Sequence, residues 1–260
     1  MPLTYSSYLQ LDALLQCQKP LSEGPEHDEL LFIVIHQSYE LWFKQMLHEL
    51  DYLVRLFNAG ERNRALHTLK RVDAIYRTLI QQVDILETLT PLEFLSFRDR
   101  LSSASGFQSF QFRELEFLYG AKDPKKLDNY TPGCEHYRRL HQRLASPTLW
   151  DAFLRFLVHE GHQVPKSVLE RDVSQVAEPS PAVQNILIDI YRNDPLVSEI
   201  CEALVDIDIS LQQWRYRHVK MVERTIGSKS GTGGSSGVGY LQSTLHKTVF
   251  PDLWAIRSEF

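Results

Sequence analysis

Apolar residues recur along most of the chain at intervals of three and four, and no stretch alternates as a half-buried strand does. There is no internal repeat. The spacing predicts a short amphipathic piece over 5–16, carried by Tyr5, Tyr8, Leu9, Leu11, Leu14 and Leu15. A loop with Pro20, Gly24 and Pro25 follows, ending at Asp28 as a helix N-cap. Long helices are expected over 29–58, stopped near Gly60, and over 61–88. Thr90-Pro91-Leu92-Glu93 combines an N-cap hydroxyl, a proline at the first helical position and a glutamate that can close a capping box. A helix therefore starts at Pro91 and ends before Gly106, and Gly106 and Gly120 bracket another. Residues 121–132 are polar and turn-rich. Ser146-Pro147 starts a helix ending near Gly161, Ser180-Pro181 one ending near Asn193, and a last long helix spans 195–226. Six of the twelve glycines crowd into 227–239, and an apolar segment, 240–257, follows.

Long helices near both ends, with shorter ones between, imply an all-α bundle. At 260 residues the length allows one large domain or two ordinary ones. The glycine run alone resembles a linker and lies too near the C-terminus to divide domains, so residues 1–260 are read as a single domain. Apolar residues make up 43% and charged residues 23%, a globular composition. Net charge is −5 with the signs interspersed, which argues against a nucleic-acid stripe or a polybasic membrane anchor. No apolar run approaches the roughly 20 residues of a membrane span. The beginning of the chain shows no secretory signature. Cys17, Cys134 and Cys201 are scattered and odd in number, so neither a disulfide framework nor a paired-cysteine metal site is expected. A reducing, cytoplasmic setting fits.

Three polar residues interrupt apolar helix faces. On the last long helix Leu204, Ile207, Leu211, Trp214, Met221, Val222 and Thr225 form one stripe, and His218 falls on it. Such a histidine is either a satisfied core residue or an axial ligand, since a neutral imidazole on a rigid helix facing an apolar cavity is what a haem iron requires. On the first long helix His36 shares a face with Phe32, Tyr39 and Phe43, while Leu31, Ile35, Leu41 and Trp42 cover adjoining faces. That helix is expected to be largely enclosed, and a buried imidazole is costly unless hydrogen-bonded. Arg98 sits among Phe94, Phe97 and Leu101 and needs an anionic partner. The partner is either a structural carboxylate or that of a substrate, held bidentately.

Other patterns are weaker. The glycine run lacks the spacing of a phosphate or dinucleotide loop; it reads as a flexible linker, or as a mobile loop whose amides and Thr232 hydroxyl close over a ligand. His159-Glu160-Gly161-His162 lacks zinc-motif spacing and sits at a helix end, where histidines suit the dipole. His136 and His141 lie in a charged helix and read as solvated.

Four blocks, LTYSSYLQLD at 3–12, HDELLFIVIHQSYELWFKQMLHEL at 27–50, ILETLTPLEFLSFRDRLSSASGFQSFQFR at 85–113 and DIDISLQQWRYRHVKMVERTIGSKSGTGGSSGVGYL at 206–241, together resemble the tryptophan 2,3-dioxygenase family. The resemblance implies an oligomeric helical bundle enclosing a haem b pocket. It implies cleavage of the indole C2–C3 bond of L-tryptophan with O2, giving N-formyl-L-kynurenine, the first step of the kynurenine pathway. His218 matches the proximal iron ligand and Ser105 a serine of the distal haem pocket. His36 matches the catalytic-site histidine that accepts a hydrogen bond from the indole N–H, with Phe32 as a pocket wall. Arg98 matches the carboxylate clamp, Phe94 lines the same pocket, and Thr232 matches the contact to the substrate ammonium. Tyr5, Tyr8 and Leu9 match an N-terminal arm, within residues 1–16, that completes a neighbouring subunit's site in a homotetramer built as a dimer of dimers. Some members carry Tyr at the position of Phe94, a difference that bears on affinity. Three other readings are a relative acting on a modified indole, a haem-based gas or tryptophan sensor, and a purely structural helical protein, which gives no reason for the clustered glycines or the isolated Arg98. Joint retention of Phe32, His36, Arg98 and Thr232 argues against the first, and the lack of residues for an output module against the second.

Overall fold

A computed structural model of the chain describes residues 2–229 and 238–260. Among the described residues every regular element is helical. Two short helices, α1 (Tyr5–Leu9) and α2 (Leu11–Leu14), precede α3 (His27–Asn58) and α4 (Arg62–Leu86). Then come α5 (Pro91–Arg98), α6 (Phe110–Leu118), α7 (Glu135–Leu144), α8 (Leu149–His159), α9 (Lys166–Leu169) and α10 (Pro181–Asn193). The long α11 (Pro195–Ile226) leads to α12 (Val238–Gln242) and α13 (Pro251–Ala255).

The core follows from the helical stripes. On α3, Phe43, Met46, Leu47, Leu50, Leu53 and Phe57 are buried at three- and four-residue spacing, and on α4 Ala65, Leu69, Val72, Tyr76, Leu79 and Val83. α4 lies between α3 and α11, while α8 packs on α3, with Phe153 and Phe156 against Phe57. A smaller cluster at the other end of the bundle joins Ile35, Val83, Leu86, Leu89, Phe94, Phe97 and Met221. The first half of α3 is not enclosed as expected: Leu30, Val34 and Leu41 are exposed.

Proline and cap signals place several starts. Thr90 and Glu93 form the capping box, with the Thr90 N–H donating to Glu93 Oε2 at 2.7 Å. α11 starts at Pro195, with the Asp194 carboxylate accepting from the N–H groups of Leu196 and Val197. Elsewhere the boundaries moved. Residues 5–16 are two pieces, broken at Gln10, whose φ of 53° lies in the left-handed region. α3 starts at His27, so Asp28 is in its first turn and Glu26 takes the cap position without a side-chain bond. α5 ends at Arg98 and passes into a 3-10 turn, and Gly106–Gln108 is a second 3-10 turn ahead of α6. α8 starts after Thr148, which makes a capping box with Asp151; Ser146-Pro147 only leads into it.

Candidate active site

α3, α5, α6, α11 and the turn between α5 and α6 converge on one cavity between the two core clusters. It brings together Phe32, His36, Phe94, Arg98, Ser105 and His218, six residues separated by up to 186 positions in sequence. Helical spacing explains the pairs: Phe32 and His36 are one turn apart on α3, and Phe94 and Arg98 one turn apart on α5. Trp214 and His218 are one turn apart on α11, their rings stacked with centroids 5.4 Å apart.

His36 has a fixed hydrogen-bonding role. Its Nδ1 lies 2.7 Å from the carbonyl oxygen of Phe32, which can only accept. Nδ1 therefore carries the hydrogen, and in the neutral ring Nε2 is left as an acceptor. Burial lowers the His36 pKa, and the Phe32 carbonyl and the Glu40 charge, which act in the other direction, do not reverse it. The Phe32 ring stands against the imidazole with centroids 4.1 Å apart and also touches Phe94 and Phe97. His218 is pushed down to about 4, first by burial and then by its proximity to His36. It has no hydrogen-bond partner among the described residues, and both rings are neutral near pH 7.

Arg98 is half-buried at the end of α5, the helix that also carries buried Phe94 and Phe97. Ser105 caps the turn that follows, accepting from the Phe107 N–H at 3.3 Å. The cavity also contains charged residues that the sequence reading passed over: Glu40 on α3, Arg113 and Glu116 on α6, and Arg215 on α11. Their signal was faint, because Arg113 and Glu116 at i,i+3 look like an ordinary solvated pair.

Tyr5, Tyr8 and Leu9 are not in the cavity wall; they stand exposed on α1. Thr232 lies outside the described residues. His159 lies beside Gly60 and Glu160 pairs with Arg62, so the weak zinc-like pattern ties the end of α8 to the turn into α4. His136 and His141 are exposed, His136 stacked on Phe110.

The sequence profile of the family described as tryptophan 2,3-dioxygenase matches residues 1–147 and 151–260. The chain belongs to the tryptophan 2,3-dioxygenase family. A tryptophan 2,3-dioxygenase of Herpetosiphon aurantiacus is 58% identical over 257 residues, covering 99% of this chain and 98% of the relative. One from Anaeromyxobacter sp. (strain K) is 54% identical, covering 98% and 95%, and one from Caulobacter vibrioides is 47% identical, covering 99% and 98%. The matched residues include every residue that lines the cavity. Among the described residues no helix is long and apolar enough to cross a membrane.

Proposed function

We propose that this member of the tryptophan 2,3-dioxygenase family opens the indole ring of L-tryptophan with O2, giving N-formyl-L-kynurenine at the head of the kynurenine pathway, in the cavity bounded by His36, Arg98 and His218. The observation that carries the reading is the pairing of two neutral imidazoles with an arginine in one mostly apolar cavity.

The donor set fits a haem. An imidazole on the cavity wall with no hydrogen-bond partner among the described residues keeps its lone pair for a metal, and iron in a haem needs only one such protein ligand. His218 would hold the iron, and Ser105 would line the haem pocket. When bound, the haem supplies the oxygen chemistry of the reaction. The protein's part is recognition and exclusion of water. Arg98 clamps the substrate carboxylate, and its planar fork suits a two-point contact. Nε2 of His36 accepts from the indole N–H, with Phe32 and Phe94 walling the ring. Phe94 has no hydroxyl, so it shapes the pocket without adding a hydrogen bond. Thr232 contacts the ammonium group. Three contacts around the α-carbon and the ring select an L-amino acid and hold it in one pose. The chain acts as a cytoplasmic homotetramer, a dimer of dimers, with Tyr5, Tyr8 and Leu9 closing the site of a neighbouring subunit. Their exposure on α1 supports that assignment.

The direct test is the absorption spectrum of purified protein, with product formation from L-tryptophan under oxygen. Wild type should show a haem Soret band and turnover, and His218→Ala should lose haem or ferrous activity. Full haem occupancy and wild-type turnover in that variant would remove His218 as the ligand. Arg98→Leu should raise KM for L-tryptophan about 10- to 100-fold, the worth of charge-assisted hydrogen bonds. Tryptamine, lacking the carboxylate, should be a poor substrate of the wild type. Rapid turnover of tryptamine, with loss of haem and fold in Arg98→Leu, would make Arg98 a structural ion-pair partner.

A further inference from the structure

Among the described residues, three guanidinium groups and two carboxylates line the cavity: Arg98, Arg113 and Arg215, with Glu40 and Glu116. Glu40 is occupied by Gln111, whose Nε2 donates to its carboxylate at 2.8 Å and to its carbonyl at 2.9 Å. Glu116 faces two of the arginines at once, accepting from Arg113 at Oε2 and from Arg215 at Oε1. Arg113 also lies over the Phe107 ring, 4.8 Å from its centroid.

Arg215 is the loosely held member. It is 8% exposed, yet its bonds are 3.4 Å to Glu116 and 3.4 Å to the Thr244 carbonyl, both near the outer limit for a hydrogen bond. A guanidinium carries five N–H donors and cannot shed its charge in a protein. Burying it against two stretched bonds compensates poorly for lost hydration. Arg215 also precedes His218 by three residues on α11, so adjacent turns of one helix bring a neutral imidazole and a buried cation to the same cavity.

We infer that Arg215 anchors a propionate of the haem, with Glu116 holding the Arg215 and Arg113 guanidinium groups side by side at that edge of the cavity. The inference rests on the reading of this cavity as a haem site. A porphyrin of the haem b type has two carboxylates and no other anionic group, and a carboxylate matches the fork of a guanidinium. Glu116 divides its charge between two cations, and Arg215, whose two bonds are both long, keeps N–H groups for a further acceptor.

The test separates the carboxylates from the rest of the porphyrin. Full-length apoprotein, free of tryptophan, is titrated with haemin and with haemin dimethyl ester, following the Soret band. Wild type should bind haemin about 10-fold or more tighter than the ester. Arg215→Gln should weaken haemin binding about 10- to 100-fold and leave the ester within about twofold, with Arg215→Lys between. Retained ester binding shows that the variant is folded. Equal loss of both ligands, no loss of either, or a loss confined to L-tryptophan binding overturns the inference and leaves the haem reading standing. A wild type that binds no haemin overturns both.

Discussion

The hydrogen bond from His36 Nδ1 to the Phe32 carbonyl decides which nitrogen meets a ligand, and with it what the residue can contribute. An imidazole so tied, with a pKa lowered by burial, accepts at Nε2 without being charged. His36→Ala should therefore lower kcat/KM for L-tryptophan about 10-fold, the cost of leaving the substrate N–H unpaired, and retain residual activity. The preference for L-tryptophan over its N1-methyl analogue, which has no N–H to donate, should shrink in the variant. Complete loss of turnover, with normal haem and tryptophan binding, would instead make His36 an obligatory proton carrier. His36, Arg98 and His218 were legible in the sequence because each breaks an apolar stripe at helical spacing, and the structure brings all three to one cavity. Arg113, Glu116 and Arg215 were not. A buried ion network uses the same residue types and spacings as a solvated helix face, and only the fold shows that α6 and α11 turn those positions inward. Their burial (Arg113 4%, Arg215 8%) sets them apart from a surface pair.

Several helices in this chain are bounded by local chemistry, but two of the segments outside them are each fastened by a single buried carboxylate. Asp208 on α11 accepts from the backbone N–H groups of Val249 and Phe250, the indole N–H of Trp254 and the Gln212 amide, pinning the C-terminal segment to the bundle. Glu29 on α3 does the same for the loop before it, accepting from the N–H groups of Leu21 and Ser22 and from the Ser22 hydroxyl. Glu29 lies shallow, just beneath that loop, yet its own surface is 2% exposed. Burial raises its pKa, and the three donors outweigh that, so the group ends below its ordinary value of 4.5. A depressed carboxyl lends stability that is complete above its unfolded pKa and lost as pH falls through the folded one. Glu29→Gln should thus cost about 1–2 kcal/mol near neutrality. The difference from wild type should narrow below pH 4.5. Denaturant unfolding at neutral and acid pH measures it, and a difference independent of pH would mean that packing of the loop, not the charge, makes the contact. Cap and proline signals gave α5, α10 and α11 their starts, whereas α3 begins before its expected cap. Glu29 in its first turn is committed to the loop, a tertiary use that no local pattern announces.

At the scale of the molecule, ten of the nineteen large apolar residues exposed among the described residues fall within the first 41 positions. Tyr5 is 76% exposed, Tyr8 70% and Leu15 71%, and Leu9 and Leu14 are also in the open. Leu30, Val34 and Leu41 leave the first half of α3 similarly bare, the half that carries Phe32 and His36. Apolar groups concentrated in this way mark a contact surface, and an exchanged N-terminal arm couples subunits at little cost. The loop fastened by Glu29 and by the Gln37 amide, which donates to the Cys17 carbonyl at 3.0 Å, holds the base of such an arm. Deleting residues 1–12 should then damage catalysis although His36, Arg98 and His218 all remain. Mixing subunits distinguishes an exchanged arm from one that serves its own chain. A truncated chain has a sound cavity and no arm; a full-length Arg98→Leu chain has an arm and an impaired cavity. Each should be nearly inactive alone. If arms are exchanged, a pair of the two supplies one complete site, in which the full-length chain's Tyr5, Tyr8 and Leu9 close over the truncated chain's Arg98. Activity should appear on mixing under conditions that let subunits exchange, in proportion to the hybrids isolated with two affinity tags. Hybrids of proven composition that remain as inactive as their parents would show that each subunit closes its own site.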